Sequence, residues 1–235
     1  MNVSSNRSQG NKISFTLLSR ALFRYILSFI FIGLLIFLPA GTFRFMNGWL
    51  FMGALFLPML LVMVYLLIFD PELMEKRLQT KEKEKTQKIY LVVSILFCFL
   101  IFMIPGFDYR YEWSHLPGWV VAGSTLVMLA SYFMFFKCMR DNSYASRVVE
   151  IQDRQKLIDT GIYGIIRHPM YTSGSLIFMS APLVLGSFYG FLVSLLLPVL
   201  LIIRLKNEEK VLLKGLDGYN DYMKKVKYRL IPYLW

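Results

Sequence analysis

Residues 172–203 read TSGSLIFMSAPLVLGSFYGFLVSLLLPVLLII, two apolar runs joined almost without a break. Only Gly186, Ser187 and Gly190 divide the run 172–187 from the run 188–203. Two short apolar helices with so little between them form a hairpin. Pro182 and Pro198 lie within it and predict kinks whose freed carbonyls must be satisfied by neighbouring helices. Upstream, apolar stretches at about 21–39, 48–69, 89–105 and 117–136 each come close to the ~20 residues that span a hydrocarbon core. The fold class that follows is all-α: a polytopic membrane protein with about five to six transmembrane helices, a C-terminal helical hairpin and a cytoplasmic C-terminal helix.

Composition agrees with this reading. Of 235 residues, 56% are hydrophobic and mean hydropathy is +0.51, more apolar surface than a soluble fold of this size hides, so the excess faces lipid. A net charge of +11 raises the question of nucleic acid, but the charge is distributed by topology. Twenty-four of the 26 Lys and Arg residues fall in segments 1–24, 70–88, 137–171 and 204–235, while Arg44 and Arg110 stand alone in the alternate loops. That is the positive-inside pattern, with both termini cytoplasmic; by itself it does not separate a bacterial inner membrane from an endoplasmic reticulum. No aromatic–basic interleaving accompanies the charge, so nucleic acid is set aside as a partner. Membrane lipids are expected partners instead.

Three regions follow from the pattern: a polar tail at 1–14, N-terminal transmembrane helices at 15–139 and a C-terminal core at 140–235. A cleaved leader is the alternative for the first apolar run; its length and poor cleavage pattern favour an uncleaved helix. The segment beginning Asp70-Pro71-Glu72-Leu73 carries a helix-start signature and otherwise reads as a solvated, mixed-charge connector. Cys98 and Cys138 are too isolated for a disulfide framework, and no metal-ligand spacing is present.

Ahead of the hairpin lies Thr160-Gly-Ile-Tyr-Gly-Ile-Ile-Arg-His-Pro-Met-Tyr-Thr-Ser-Gly174. At a membrane edge, an Arg, a His, two Tyr and three Gly need a reason. His168 precedes Pro169, so the chain is extended at His168 and enters a helix at Pro169. Amides at that helix start would favour an anionic group. Gly161 and Gly164 permit close approach of a flat ligand, and Tyr163 and Tyr171 can pack against it. Taken alone, His168 reads equally well as a helix-capping residue. Beyond the hairpin, Arg204 and Glu208 share a helix face, with Glu209 as an additional acid. The hairpin returns 204–209 beside 160–171, making one composite pocket.

These residues resemble a known family. Leu157-Ile158, Thr160-Gly-Ile-Tyr163, Arg167-His-Pro-Met-Tyr171 and Gly174, followed by Arg204, Glu208-Glu209, Tyr219, Tyr222 and Tyr228-Arg-Leu-Ile-Pro232, are similar to the isoprenylcysteine carboxyl methyltransferases, within a wider group that includes phospholipid N-methyltransferases. Asp70-Pro71-Glu72-Leu73 followed by Arg77 is similar to a segment of bacterial members. The resemblance implies an S-adenosylmethionine-dependent enzyme. It implies donor contacts at Gln155, Lys156, Leu157, Ile158, Gly161, Tyr163, His168, Pro169, Met170, Tyr171 and Glu208, and Arg204 on the substrate side. Arg204 and Glu208 are then the catalytic candidates, and no metal is called for. Eukaryotic members carry histidine where Gln155 stands. A carboxylate acceptor is already ionised and needs no general base, which puts carboxyl O-methylation of an isoprenylcysteine-like or other lipophilic substrate first. A lipid-amine N-methyltransferase, an NADPH-dependent membrane reductase and a noncatalytic scaffold are the alternatives.

Overall fold

The computed structural model describes residues 14–79, 85–145, 151–152 and 155–235; the expected tail 1–14 lies outside them except for Ser14. The chain forms α1 (Phe15–Ala40), α2 (Met46–Phe69), α3 (Pro71–Leu78), α4 (Lys85–Tyr111), α5 (Gly118–Asp141), α6 (Pro169–Val184), α7 (Phe188–Ser194), α8 (Leu197–Gly215) and α9 (Tyr219–Lys225). A 3-10 turn covers Gly161–Gly164, and no strand occurs among the described residues. Lipid offers no hydrogen bonds, so apolar segments satisfy their own backbone as helices. Among the described residues, α1, α2, α5 and the unit Phe188–Gly215 are long and apolar enough to cross a membrane. The protein is an integral membrane protein.

Side-chain exposure supports that conclusion. On α2, Leu57, Leu61, Val64 and Ile68 are all exposed, a stripe at helical spacing that only lipid can cover. Leu22, Ile26, Ile30, Leu34 and Leu38 form a similar stripe on α1. The opposite faces meet in a core that includes fully buried Ile36, Phe51, Ile101, Met128 and Val184. Glycines set the closest approaches, since without an apolar driving force between helices in lipid, backbone proximity brings the packing gain. A methyl group on Gly106 of α4 would stand 2.6 Å from the Ile36 carbonyl of α1, and one on Gly190 of α7 would meet the Pro105 ring of α4 at 2.9 Å.

The hairpin forms with its turn where expected and with a second interruption further along the chain. Gly186, at φ 82, turns the chain between α6 and α7. The return limb is interrupted at Leu195 and Leu196, and Pro198 sits in the first turn of α8, where its missing N–H is harmless. From there α8 continues well beyond the apolar run to Gly215. Arg204, Glu208 and Glu209 therefore ride on one rigid helix that begins in the apolar layer. At the opposite end of the bundle, buried Asp108 accepts from the Ser114 amide and hydroxyl, both at 2.7 Å, and from the Ser187 hydroxyl. The tip of the hairpin is pinned to the end of α4.

Residues 70–79, the described part of the connector before α4, depart from the solvated reading. Asp70 caps α3 by accepting from the Leu73 amide at 3.0 Å, as its signature predicts. Leu73 is fully buried and Met74 nearly so, packed with Leu17, Ala21, Met63, Leu66 and Met139. Two adjacent apolar residues, too few to register as a periodic run, anchor the helix under the bundle. From α3, Arg77 donates to the Ala145 carbonyl at 2.7 Å and lies 5.2 Å over the Phe135 ring, which ties α3 to the chain leaving α5.

Candidate active site

The stretch between α5 and α6 is organised by backbone geometry. Gly161 takes φ 60, a left-handed conformation that strains any side-chain-bearing residue, and opens the 3-10 turn carrying Tyr163. Tyr163 is buried, and its carbonyl accepts from the Tyr222 hydroxyl of α9 at 2.7 Å. Arg167 leads into His168, which takes φ −126 and ψ 58, non-helical as the following Pro169 demands but short of the extended geometry expected there. Their amides donate to the Tyr228 and Arg229 carbonyls at 2.9 and 3.0 Å. Thr172 adds a hydroxyl bond to the Leu230 carbonyl at 2.8 Å. The C-terminal segment is thus a strap along the loop that enters α6. Within the strap, Arg229, Leu230 and Ile231 amides all converge on the Trp235 carbonyl.

His168 occupies the N-cap position of α6 without capping it. Its Nε2 instead stands 3.3 Å from Glu209 Oε1, and its ring stacks on Tyr171 with centroids 5.7 Å apart. The expectation of free amides for an anion at this helix start is not met at Tyr171 and Thr172. Both donate to the His168 carbonyl.

Adjacent residues on a helix point about 100° apart, and the Glu208-Glu209 doublet divides accordingly. Glu208 turns into the cleft. It accepts a short hydrogen bond from the Tyr171 hydroxyl, and that same hydroxyl accepts from Arg204 Nε at 2.9 Å. Arg204 and Glu208 therefore meet through a tyrosine on the facing helix. Glu209 turns away and is buried. Its Oε1 lies 3.2 Å from Arg167 Nε, an ion pair without an aligned hydrogen bond, and its Oε2 accepts from Arg229 Nε at 3.0 Å. The loop, α8 and the strap converge on this one carboxylate, to which the sequence assigns no role.

Between these parts opens a cleft of ≈ 870 Å³, part of it open to solvent. Gln155, Lys156, Leu157, Ile158, Tyr163, His168, Pro169, Met170, Tyr171, Arg204 and Glu208 all line it. Gly161 does not; it shapes the turn from outside. The sequence reading named no role for Asn142, Tyr144, Val211, Leu212, Tyr219 or Tyr222, which also line the cleft. Tyr219 and Tyr222 lie on one face at i and i+3 and were legible to that extent; Val211 and Leu212 look like ordinary helix interior. Burial raises the pKa of the Tyr163, Tyr219 and Tyr222 phenols, so all three stay protonated at neutral pH. No cluster of metal-ligating side chains occurs among the described residues.

Residues 119–217 match the phospholipid methyltransferase family. The match runs from the start of α5 to just beyond α8, so it takes in the loop, the hairpin, Arg204 and the Glu208-Glu209 doublet. The match supports a membrane methyltransferase, and enzymes of that family generally use S-adenosylmethionine. No curated protein matches the chain.

Proposed function

We propose that this protein transfers a methyl group from S-adenosylmethionine to the carboxylate of an isoprenylcysteine-like or other lipophilic acceptor at the cytoplasmic edge of a bacterial inner membrane, with both termini on the cytoplasmic side. The observation that carries this reading is the Arg204–Tyr171–Glu208 chain, which sets a guanidinium and a carboxylate side by side in a cleft at the membrane edge. The donor supplies an activated methyl group on a sulfonium, so the task left to the protein is alignment and exclusion of water. The lining suits such a donor. Tyr163, Tyr219 and Tyr222 with Leu157, Ile158 and Leu212 offer aromatic and aliphatic faces for a nucleobase, and Glu208 offers a negative group to a cationic ligand. His168 is held in place by Glu209, and Gln155 to Ile158 close the loop side. Arg204, fixed by Tyr171, orients the acceptor carboxylate, which attacks already ionised. Exposed apolar surface on α5 and α8 gives a lipophilic tail a place to lie while its head enters the cleft.

A second reading, N-methylation of a lipid amine, is favoured by the description of the matched family and by the Tyr171–Glu208 contact, a ready acceptor for an amine proton. Arg204 opposes it, because a cationic head would meet a fixed guanidinium. The two products differ chemically. Incubation with methyl-labelled donor and prenylcysteine, fatty-acid or phosphatidylethanolamine acceptors should give label that mild base releases as methanol, the mark of an ester, and Arg204→Ala should abolish it. Base-stable label on the amine lipid would establish the second reading. No label on any acceptor would count against both.

A further inference from the structure

Tyr219 is 3% exposed, its ring packs against Tyr222 at 5.7 Å, and its side chain lines the cleft. Among the described residues, its hydroxyl has no hydrogen-bond partner. The contrast with Tyr222 on the same short helix is informative. Tyr222 is 5% exposed and donates to the Tyr163 carbonyl at 2.7 Å, so its oxygen has a structural purpose that the oxygen of Tyr219 lacks. Buried polar groups in native proteins are satisfied in the great majority of cases, and an exception asks for an explanation. Gln152 Oε1, Asn207 Nδ2 and Arg167 Nε are also without hydrogen-bond partners among the described residues, but the first two residues do not line the cleft and Arg167 Nε is ion-paired with Glu209 at 3.2 Å. Phenylalanine would fill the place of Tyr219 without leaving a buried hydroxyl unpaired, so packing alone does not account for a tyrosine here. Arg167, Glu208 and Glu209 lie close enough to act on the phenol electrostatically, and burial keeps it protonated. The hydroxyl can therefore both donate and accept.

We propose that Tyr219 is a ligand-binding residue whose hydroxyl completes its hydrogen bonding on a polar group of the methyl donor. This rests on the donor-site reading above and adds to it a contact on α9, outside the segment matched to the family.

The test uses the full-length protein in detergent, titrated calorimetrically with S-adenosylhomocysteine. Wild type, Tyr219→Phe and Tyr222→Phe are compared, with the ligand-free unfolding temperature of each measured in parallel. Tyr219→Phe should weaken binding about tenfold, the worth of one hydrogen bond, while its ligand-free unfolding temperature is unchanged or higher, since only an unpaired group has gone. Tyr222→Phe should lower the ligand-free unfolding temperature. Affinity of Tyr219→Phe within about twofold of wild type would overturn the assignment, as would weaker binding accompanied by the same thermal loss as Tyr222→Phe, which would mean an internal partner. If wild type itself fails to bind, the donor-site reading falls first and takes this contact with it.

Discussion

Replacing Glu209 with alanine removes a carboxylate from among three cationic or protonatable side chains. Two of them are buried with it: the side chains of Arg167 and His168 are 4% and 5% exposed, whereas that of Arg229 is 30% exposed. Breaking a buried ion pair by deleting one partner typically costs ~3–5 kcal/mol, because the remaining charge stays desolvated. Solvent at Arg229 softens its share, so about 3 kcal/mol is the expected loss. For a chain of this size that is a fall of roughly 6–12 °C in unfolding temperature. Intrinsic fluorescence during heating in detergent reads it directly. Glu208→Ala is the matched control: its carboxylate faces the cleft, so it should melt within about 3 °C of wild type yet lose S-adenosylhomocysteine binding. The reasoning is refuted if Glu209→Ala melts within about 2 °C of wild type, or if the two variants exchange phenotypes.

Three other perturbations probe separate parts of the account. Deleting residues 228–235 removes the carbonyls that receive the Arg167 and His168 amides; far-UV circular dichroism should keep its helical signal while donor binding is lost, and undiminished affinity would show that the strap is dispensable. Gly106→Ala pushes a methyl group to within 2.6 Å of the Ile36 carbonyl, an overpacked contact expected to cost about 2 kcal/mol and to lower the unfolding temperature accordingly. Arg77→Met should leave the bundle folded but free the Ala145 end of the loop, and calorimetry should find donor affinity reduced severalfold with little change in expression.

What the sequence conveyed, and what it did not, follows from where the physical signal lies. Apolar runs identified the membrane helices because lipid demands unbroken hydrophobicity; the structure lengthens the run 89–105 to Lys85–Tyr111 and 21–39 to Phe15–Ala40, since charged residues end a run without ending a helix. The same effect hid the extent of α8, whose apolar start gives way to five charged residues within 204–210 before the helix ends at Gly215. The docking of α3 was illegible because Leu73 and Met74 are only two apolar residues among acids and bases. In the cleft, residues chosen for their chemistry, such as Tyr171, Arg204 and Glu208, come together. The division of labour in the Glu208-Glu209 doublet depends on helical phase relative to His168, 41 residues before Glu209, and Arg229, 20 residues after it, which spacing does not encode. Residues 228–232 belong to the resemblance, but their contact as a strap was not legible, because it acts through the Tyr228, Arg229 and Leu230 carbonyls, and a carbonyl carries no residue-type signature.

The central claim is that the cleft between the 155–171 segment and α8 binds the methyl donor. Calorimetric titration of the detergent-purified protein with S-adenosylhomocysteine, beside His168→Ala, Glu208→Ala and an NADPH titration, tests it most directly. Wild type should bind saturably, both substitutions should abolish that binding, and NADPH should give no heat. Wild type silent toward S-adenosylhomocysteine, or binding it equally well in both variants, would contradict it.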